Sequence, residues 1–139
     1  MRKEPVFISL LVVSGACASL ARVVVAQTRD DAESARIAGT WRGNSICTVK
    51  GSPCHDEINV YRFASVPERA PSFSVTASKV VDGKEVVMGT GEWTYDSEKH
   101  ALESKTPAIR LVLDGNKMEG VLKLADGTVY RRISLKKEN

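Results

Sequence analysis

The residues best equipped for chemistry lie between Cys47 and Glu57, in the run Cys-Thr-Val-Lys-Gly-Ser-Pro-Cys-His-Asp-Glu. Two thiols, an imidazole and two carboxylates so close together can close a disulfide, hold a metal ion or supply acid–base groups. The disulfide is expected. Pairing Val49 with Ser52 across a Lys50-Gly51 loop puts Cys47 opposite Cys54, where directly opposed residues of an antiparallel pair stand about 4.5 Å apart at Cα. A bridge over so short a loop contributes on the order of 2–3 kcal/mol. Pro53 cannot donate to a ladder, so this end of the hairpin is expected to be irregular or at a sheet edge.

A metal site would use Cys47, Cys54, His55 and Asp56, all zinc-type ligands. The gap between the cysteines is not a usual knuckle spacing, no second Cys or His pair follows, and only His100 remains elsewhere. No metal is expected. Hydrolysis would need paired carboxylates, for which Asp56, Glu57 and Glu92 are available, yet acidic residues on strand edges are ordinarily solvated. There is no nucleophile elbow, no phosphate loop and no Ser/His/Asp set. The chain is therefore read as a non-enzyme, with no catalytic residue and no cofactor.

The N-terminus sets the compartment. Met1-Arg2-Lys3 is basic, Val6 to Ala16 is apolar, and small residues follow at Ala16-Cys17-Ala18 and Val24-Val25-Ala26. A basic flank, a short apolar core and an A-x-A-like exit describe a cleaved signal peptide over residues 1–26. The apolar run falls short of the roughly 20 residues a spanning helix needs. Cleavage after Ala26 leaves Gln27 first, and cleavage after Ala18 is the alternative. A lipidated Cys17 is a third reading, disfavoured because Ser14-Gly15-Ala16 lacks the aliphatic residue that such signals carry. Export to the periplasm or the extracellular space is expected, with no membrane attachment after cleavage.

The whole chain has 20 Lys and Arg against 17 Asp and Glu. Residues 1–26 hold Arg2, Lys3 and Arg22 against Glu4, so the mature chain keeps 17 against 16, a net charge of +1. Near neutrality argues against nucleic acid or an anionic membrane as partner. Two cysteines remain in a small exported domain, the setting in which disulfides persist.

The rest of the chain must position these groups. Residues 27–38 are polar with little apolar periodicity and are expected to form a flexible leader, although a turn or two of helix fits the composition. From Gly39 to the end, residues 39–139, the pattern is that of one β domain. Strands are expected over Thr40–Val49, Glu57–Ala64, Phe73–Val81, Glu85–Tyr95, His100–Ser104, Thr106–Leu113, Lys117–Leu124 and Thr128–Lys136. The dipeptides Asp82-Gly83, Asp114-Gly115 and Asp126-Gly127 supply hairpin turns, where Gly provides positive φ. Eight short strands joined by hairpins predict an all-β, antiparallel, up-and-down barrel, because closure removes the exposed edges.

Alternation fills that barrel. Ile109, Leu111 and Leu113 share one face, as do Met118, Leu122 and Leu124, and Val129, Arg131, Ile133 and Leu135. Gly43 and Ser45 on the Trp41 face, and Gly89 and Gly91 beside Trp93, leave either room for a ligand or close approach of the walls. Chain length favours a mostly filled interior. A pocket would draw on Phe73, Met88, Trp93 and Leu111, residues that core packing explains equally well. The basic residues Arg131, Arg132, Lys136 and Lys137 on the last strand read as edge protection.

At Gly39-Thr40-Trp41, opening the first strand of an antiparallel meander, the sequence resembles the lipocalin-like (calycin) barrels. That resemblance implies an eight-stranded barrel, often holding a small hydrophobic ligand. It also implies a barrel floor of Gly39 and Trp41 with a basic residue of the last strand packed over the Trp, for which Arg131 is the candidate. The segments Ser-Pro-Cys-His-Asp-Glu and Asp-Gly-Thr-x-Tyr-Arg-Arg also look like a group of uncharacterised secreted bacterial proteins. A second resemblance is to small periplasmic inhibitors of bacterial metalloproteases, and it implies a protein partner engaged through the leader or the loops. The expectation is thus an exported barrel binding a small apolar or amphipathic ligand, with a protein-interaction module as the alternative.

Overall fold

The structure, a computed structural model, describes residues 29–139. The expected signal peptide, its two alternative cleavage points and Cys17 lie outside the described residues. Eight strands form one closed antiparallel barrel in chain order, each paired with the next and the last returning to the first. They are β1 (Gly39–Cys47), β2 (Glu57–Ser65), β3 (Ser72–Val81), β4 (Lys84–Asp96), β5 (Ala101–Ser104), β6 (Ala108–Asp114), β7 (Lys117–Lys123) and β8 (Val129–Lys137). The up-and-down barrel expected from the strand spacing is present. At the β3–β4 turn both Asp82 and Gly83 have positive φ, 49° and 77°, as a primed two-residue turn requires.

Two segments differ from expectation. Residues 29–37 are helical (α1), where a flexible leader is the sequence reading. Ile37 is fully buried in the barrel core, and its carbonyl accepts a 2.8 Å hydrogen bond from Trp41 Nε1. One apolar side chain at the helix end anchors an otherwise polar segment, a signal too small to register as periodicity. The β1–β2 connection is also not a regular hairpin: β1 stops at Cys47 and β2 begins at Glu57. Thr48 N–H donates to Tyr130 O, keeping the end of β1 with β8. The Asp56 carboxylate takes the Cys47 N–H at 2.9 Å, and Pro53 has no donor to offer.

The interior is divided along the barrel axis. Trp41, Phe63, Phe73, Tyr95, Leu102, Leu113, Met118 and Leu135 pack with Ile37 into a buried core; each such burial is worth roughly 1.5–3 kcal/mol. Tyr61, Phe63, Phe73 and Trp93 meet at ring-centroid distances of 5.6–6.4 Å, in edge-to-face contacts that add to area burial. Farther along the axis the glycines and polar residues begin.

Candidate functional site

The barrel wall is incomplete on one side. β4 is thirteen residues long, but β5 pairs only with Thr94, Tyr95 and Asp96. From Lys84 to Trp93, β4 is laddered to β3 alone, and Lys84 to Glu92 are all exposed. A cavity of about 730 Å³ opens through this gap, between Met88–Thr94 of β4 and the segment Glu103–Pro107, which is the end of β5 and its connection to β6. Its inner wall is Tyr61, Val75, Ala77, Trp93, Ile109 and Leu122, and its size is that of a small-molecule site. Gly89 and Gly91 create part of the space, since a Cβ built on either meets no atom within 4 Å. Gly43 and Gly120 serve the opposite purpose. A Cβ there would overlap the Ser134 and Arg110 carbonyls, so these two glycines let neighbouring strands coil closely.

Beyond Tyr61 and Ala77 the inward positions turn polar. Asn59 pairs with Lys79 on one ladder and Ser45 with Glu57 on another. Leu122 of the cavity wall pairs with Arg131. Arg131 Nη2 lies 3.6 Å from Glu57 Oε1, with side-chain exposures of 12% and 11%. Lys79 Nζ lies 3.5 Å from the same oxygen, and His55 Nε2 lies 3.8 Å from it. Arg131 Nη1 donates to Ser45 O and Oγ at 3.3 Å and to His55 O at 3.1 Å. Burial pushes the Tyr61 phenol up to about 12; the Arg131 charge opposes the shift and Glu57 adds to it. Alternation identifies the inward positions in this region, but not that Arg131, Lys79 and the His55 ring would gather at one carboxylate oxygen.

The four residues proposed from sequence to line a pocket separate into two pairs. Met88 and Trp93 line the cavity. Phe73 and Leu111 are buried in the packed core and take no part in its wall. Residues absent from that set, Tyr61, Val75, Ala77, Ile109 and Leu122, make most of the inner wall. Their signal was inward parity, which does not tell a cavity wall from a filled core.

The floor residue Arg131 is a correction. Trp41 is fully buried at the helix end, but the cation over its ring is Lys137, whose Nζ stands 5.8 Å from the ring centroid. Lys137 Nζ also donates to the Arg36 and Ala35 carbonyls of α1, at 2.7 and 3.3 Å, joining the last strand to the helix end. The β1–β8 register pairs Trp41 with Lys137 and Cys47 with Arg131. Six residues of strand separate the two basic residues, about 20 Å at the usual rise. Both have the same inward parity, so alternation could not choose between them. Gly39 adjoins this end with φ of 119°, a conformation that favours glycine.

Cys47 and Cys54 are disulfide-bonded with Cα atoms 6.0 Å apart, so both thiolates are withdrawn from a metal set. Among the described residues no group of three or more His, Cys, Asp or Glu is arranged to hold a metal ion. The three carboxylates considered for hydrolysis have separate partners. Asp56 caps Cys47 N–H, Glu57 faces Arg131 and Lys79, and Glu92 is chelated by Arg69 at 2.7 Å. That last contact holds the Glu92 carboxyl below its ordinary range. Comparison with family models, curated proteins and solved structures finds no match.

Proposed function

We propose that this protein is an exported, non-enzymatic barrel of lipocalin-like type that binds a small apolar or amphipathic ligand in the lateral cavity. One observation carries the reading. An interior space of about 730 Å³ is walled by Val75, Ala77, Trp93, Ile109 and Leu122 and opens to solvent beside β4. The Cys47–Cys54 disulfide supports an oxidising compartment.

The test is titration of the processed chain with N-phenyl-1-naphthylamine, an apolar dye, followed by Trp fluorescence and dye emission. One equivalent is expected to bind. Gly91→Leu, whose side chain points into open space, is expected to reduce affinity at least tenfold while leaving thermal stability equal or higher. Absence of saturable binding to the wild type defeats the reading.

The second reading is a protein-interaction module. It draws support from Val86, Val87 and Met88, apolar residues 45%, 62% and 47% exposed on the half of β4 with one unpaired edge, where an extended partner segment could add a strand.

A further inference from the structure

We propose that the cavity takes a neutral apolar molecule bearing a carbonyl oxygen, and that the Tyr61 hydroxyl selects it by donating a hydrogen bond to that oxygen. This rests on the cavity reading and names the ligand's functional group and the residue that reads it.

The inner wall holds hydrogen-bond donors that the fold leaves without acceptors. Tyr61 and Trp93 both line the cavity, are 3% and 5% exposed, and meet edge to face at 5.6 Å. Buried Tyr O–H and Trp N–H groups ordinarily find a partner, as Trp41 Nε1 does in the Ile37 carbonyl at 2.8 Å. Neither the Tyr61 hydroxyl nor Trp93 Nε1 has one among the described residues. Burial and the charges of Arg131 and Glu57 act on the phenol, with no hydrogen bond contributing. Nor is either atom sealed in, for the unpaired side-chain atoms shut off from solvent among the described residues are Asn59 Nδ2 and Ser78 Oγ. Tyr61 borders the lateral cavity and not the recess of about 340 Å³ beside His55 and Asp56, so the cavity is the space its hydroxyl reaches.

Those donors and the lack of charge on the inner wall define the occupant. An indole N–H only donates, and the phenol, pushed up to about 12, keeps its proton at neutral pH. Two donors call for an acceptor oxygen on the ligand. The inner wall carries no charge; the charged residues lining the cavity, Glu92, Glu103 and Lys105, belong to its mouth. Glu92 is held there by Arg69 at 2.7 Å, and Glu103 faces Arg110 at 3.7 Å. Arg131 and Glu57, the two charges that act on the phenol, stand 3.6 Å apart and offset one another. A charged head at the inner wall would be desolvated without a counter-ion. A carbonyl oxygen instead gives the phenol the acceptor it lacks and leaves the rest of the molecule against apolar side chains.

The experiment is displacement of N-phenyl-1-naphthylamine from the processed chain by three matched probes. They are 2-acetylnaphthalene, 2-ethylnaphthalene, which has a methylene for the carbonyl, and 2-naphthoate. Tyr61→Phe removes one hydroxyl and keeps the ring. It is expected to weaken the ketone about three- to tenfold, the worth of one net hydrogen bond, and to leave the hydrocarbon within about twofold. A merely structural role of Tyr61 would move both probes together. The carboxylate is expected to bind the wild type more weakly than the ketone. Equal change in ketone and hydrocarbon, or no change in either, overturns the assignment to Tyr61 and leaves the cavity reading intact. A carboxylate that binds more tightly than the ketone overturns the neutral ligand. Failure of the wild type to take up the dye overturns the cavity reading, and this inference with it.

Discussion

Glycines inside this barrel do two physically different jobs. Gly43 and Gly120 sit where a Cβ would collide with the backbone of the adjoining strand, and backbone cannot move aside as a flexible side chain can. Gly89 and Gly91 face open space. Gly43→Ala and Gly120→Ala are therefore expected to destabilise by about 1–3 kcal/mol. Gly91→Ala should be neutral or stabilising by about 0.5 kcal/mol, since glycine in a strand carries an entropic cost. Urea denaturation of the three variants checks this, and equal effects would show that space is not what distinguishes them. From sequence all four are inward small residues; only the neighbouring backbone tells crowding from room. The assignment of the Trp41 cation to Arg131 failed for a related reason, because parity fixes the face of a residue and not its height on the barrel.

At the scale of elements, the helix and the gap beside β4 decide how the barrel works. α1 reaches the barrel floor through Ile37 in the core, the Ile37 carbonyl on Trp41 Nε1, and Lys137 on its last carbonyls. Ile37→Ala is expected to cost about 2–4 kcal/mol, the usual range for emptying a fully buried aliphatic site. Substitution of the exposed Ala35 by Ser should cost under about 1 kcal/mol. Thermal and chemical denaturation of the pair measures the difference. An effect of Ile37→Ala as small as that of the Ala35 control would mean the helix is not part of the folded unit. The strand pattern was legible because Asp-Gly turns and alternation are local signals. The gap was not, since the shortness of β5 relative to β4 matters only once the two are side by side.

The whole molecule behaves as a barrel with an apolar floor and a polar upper interior, and Tyr61 stands between the two. Its phenol, pushed up to about 12 chiefly by burial, keeps its proton in the folded chain at pH values where the unfolded chain has lost it near 10. The folded state then binds more protons than the unfolded state between about pH 10 and 12, so stability falls as pH rises through that window. The stabilisation is fully present below pH 10, and its loss amounts to on the order of 2 kcal/mol. Tyr61→Phe should lack this component, and its stability should fall less steeply with pH above 10 than that of the wild type in parallel urea titrations. Identical slopes would mean that the phenol ionises freely in the folded protein.

Sequence by itself determined the all-β class, the eight-strand count, the hairpin turns and the identity of the bridged cysteines. Each depends on signals within a few residues: period-two alternation, Asp-Gly dipeptides, and two cysteines close along the chain. Tertiary structure alone decided that Lys137 and not Arg131 covers Trp41, that Phe73 and Leu111 fill the core while Tyr61 and Leu122 bound a cavity, and that α1 docks. It also decided that Arg131 and Lys79 converge on Glu57. Those facts depend on inter-strand register and on unequal strand lengths around a closed barrel, which bring together side chains from opposite ends of the chain.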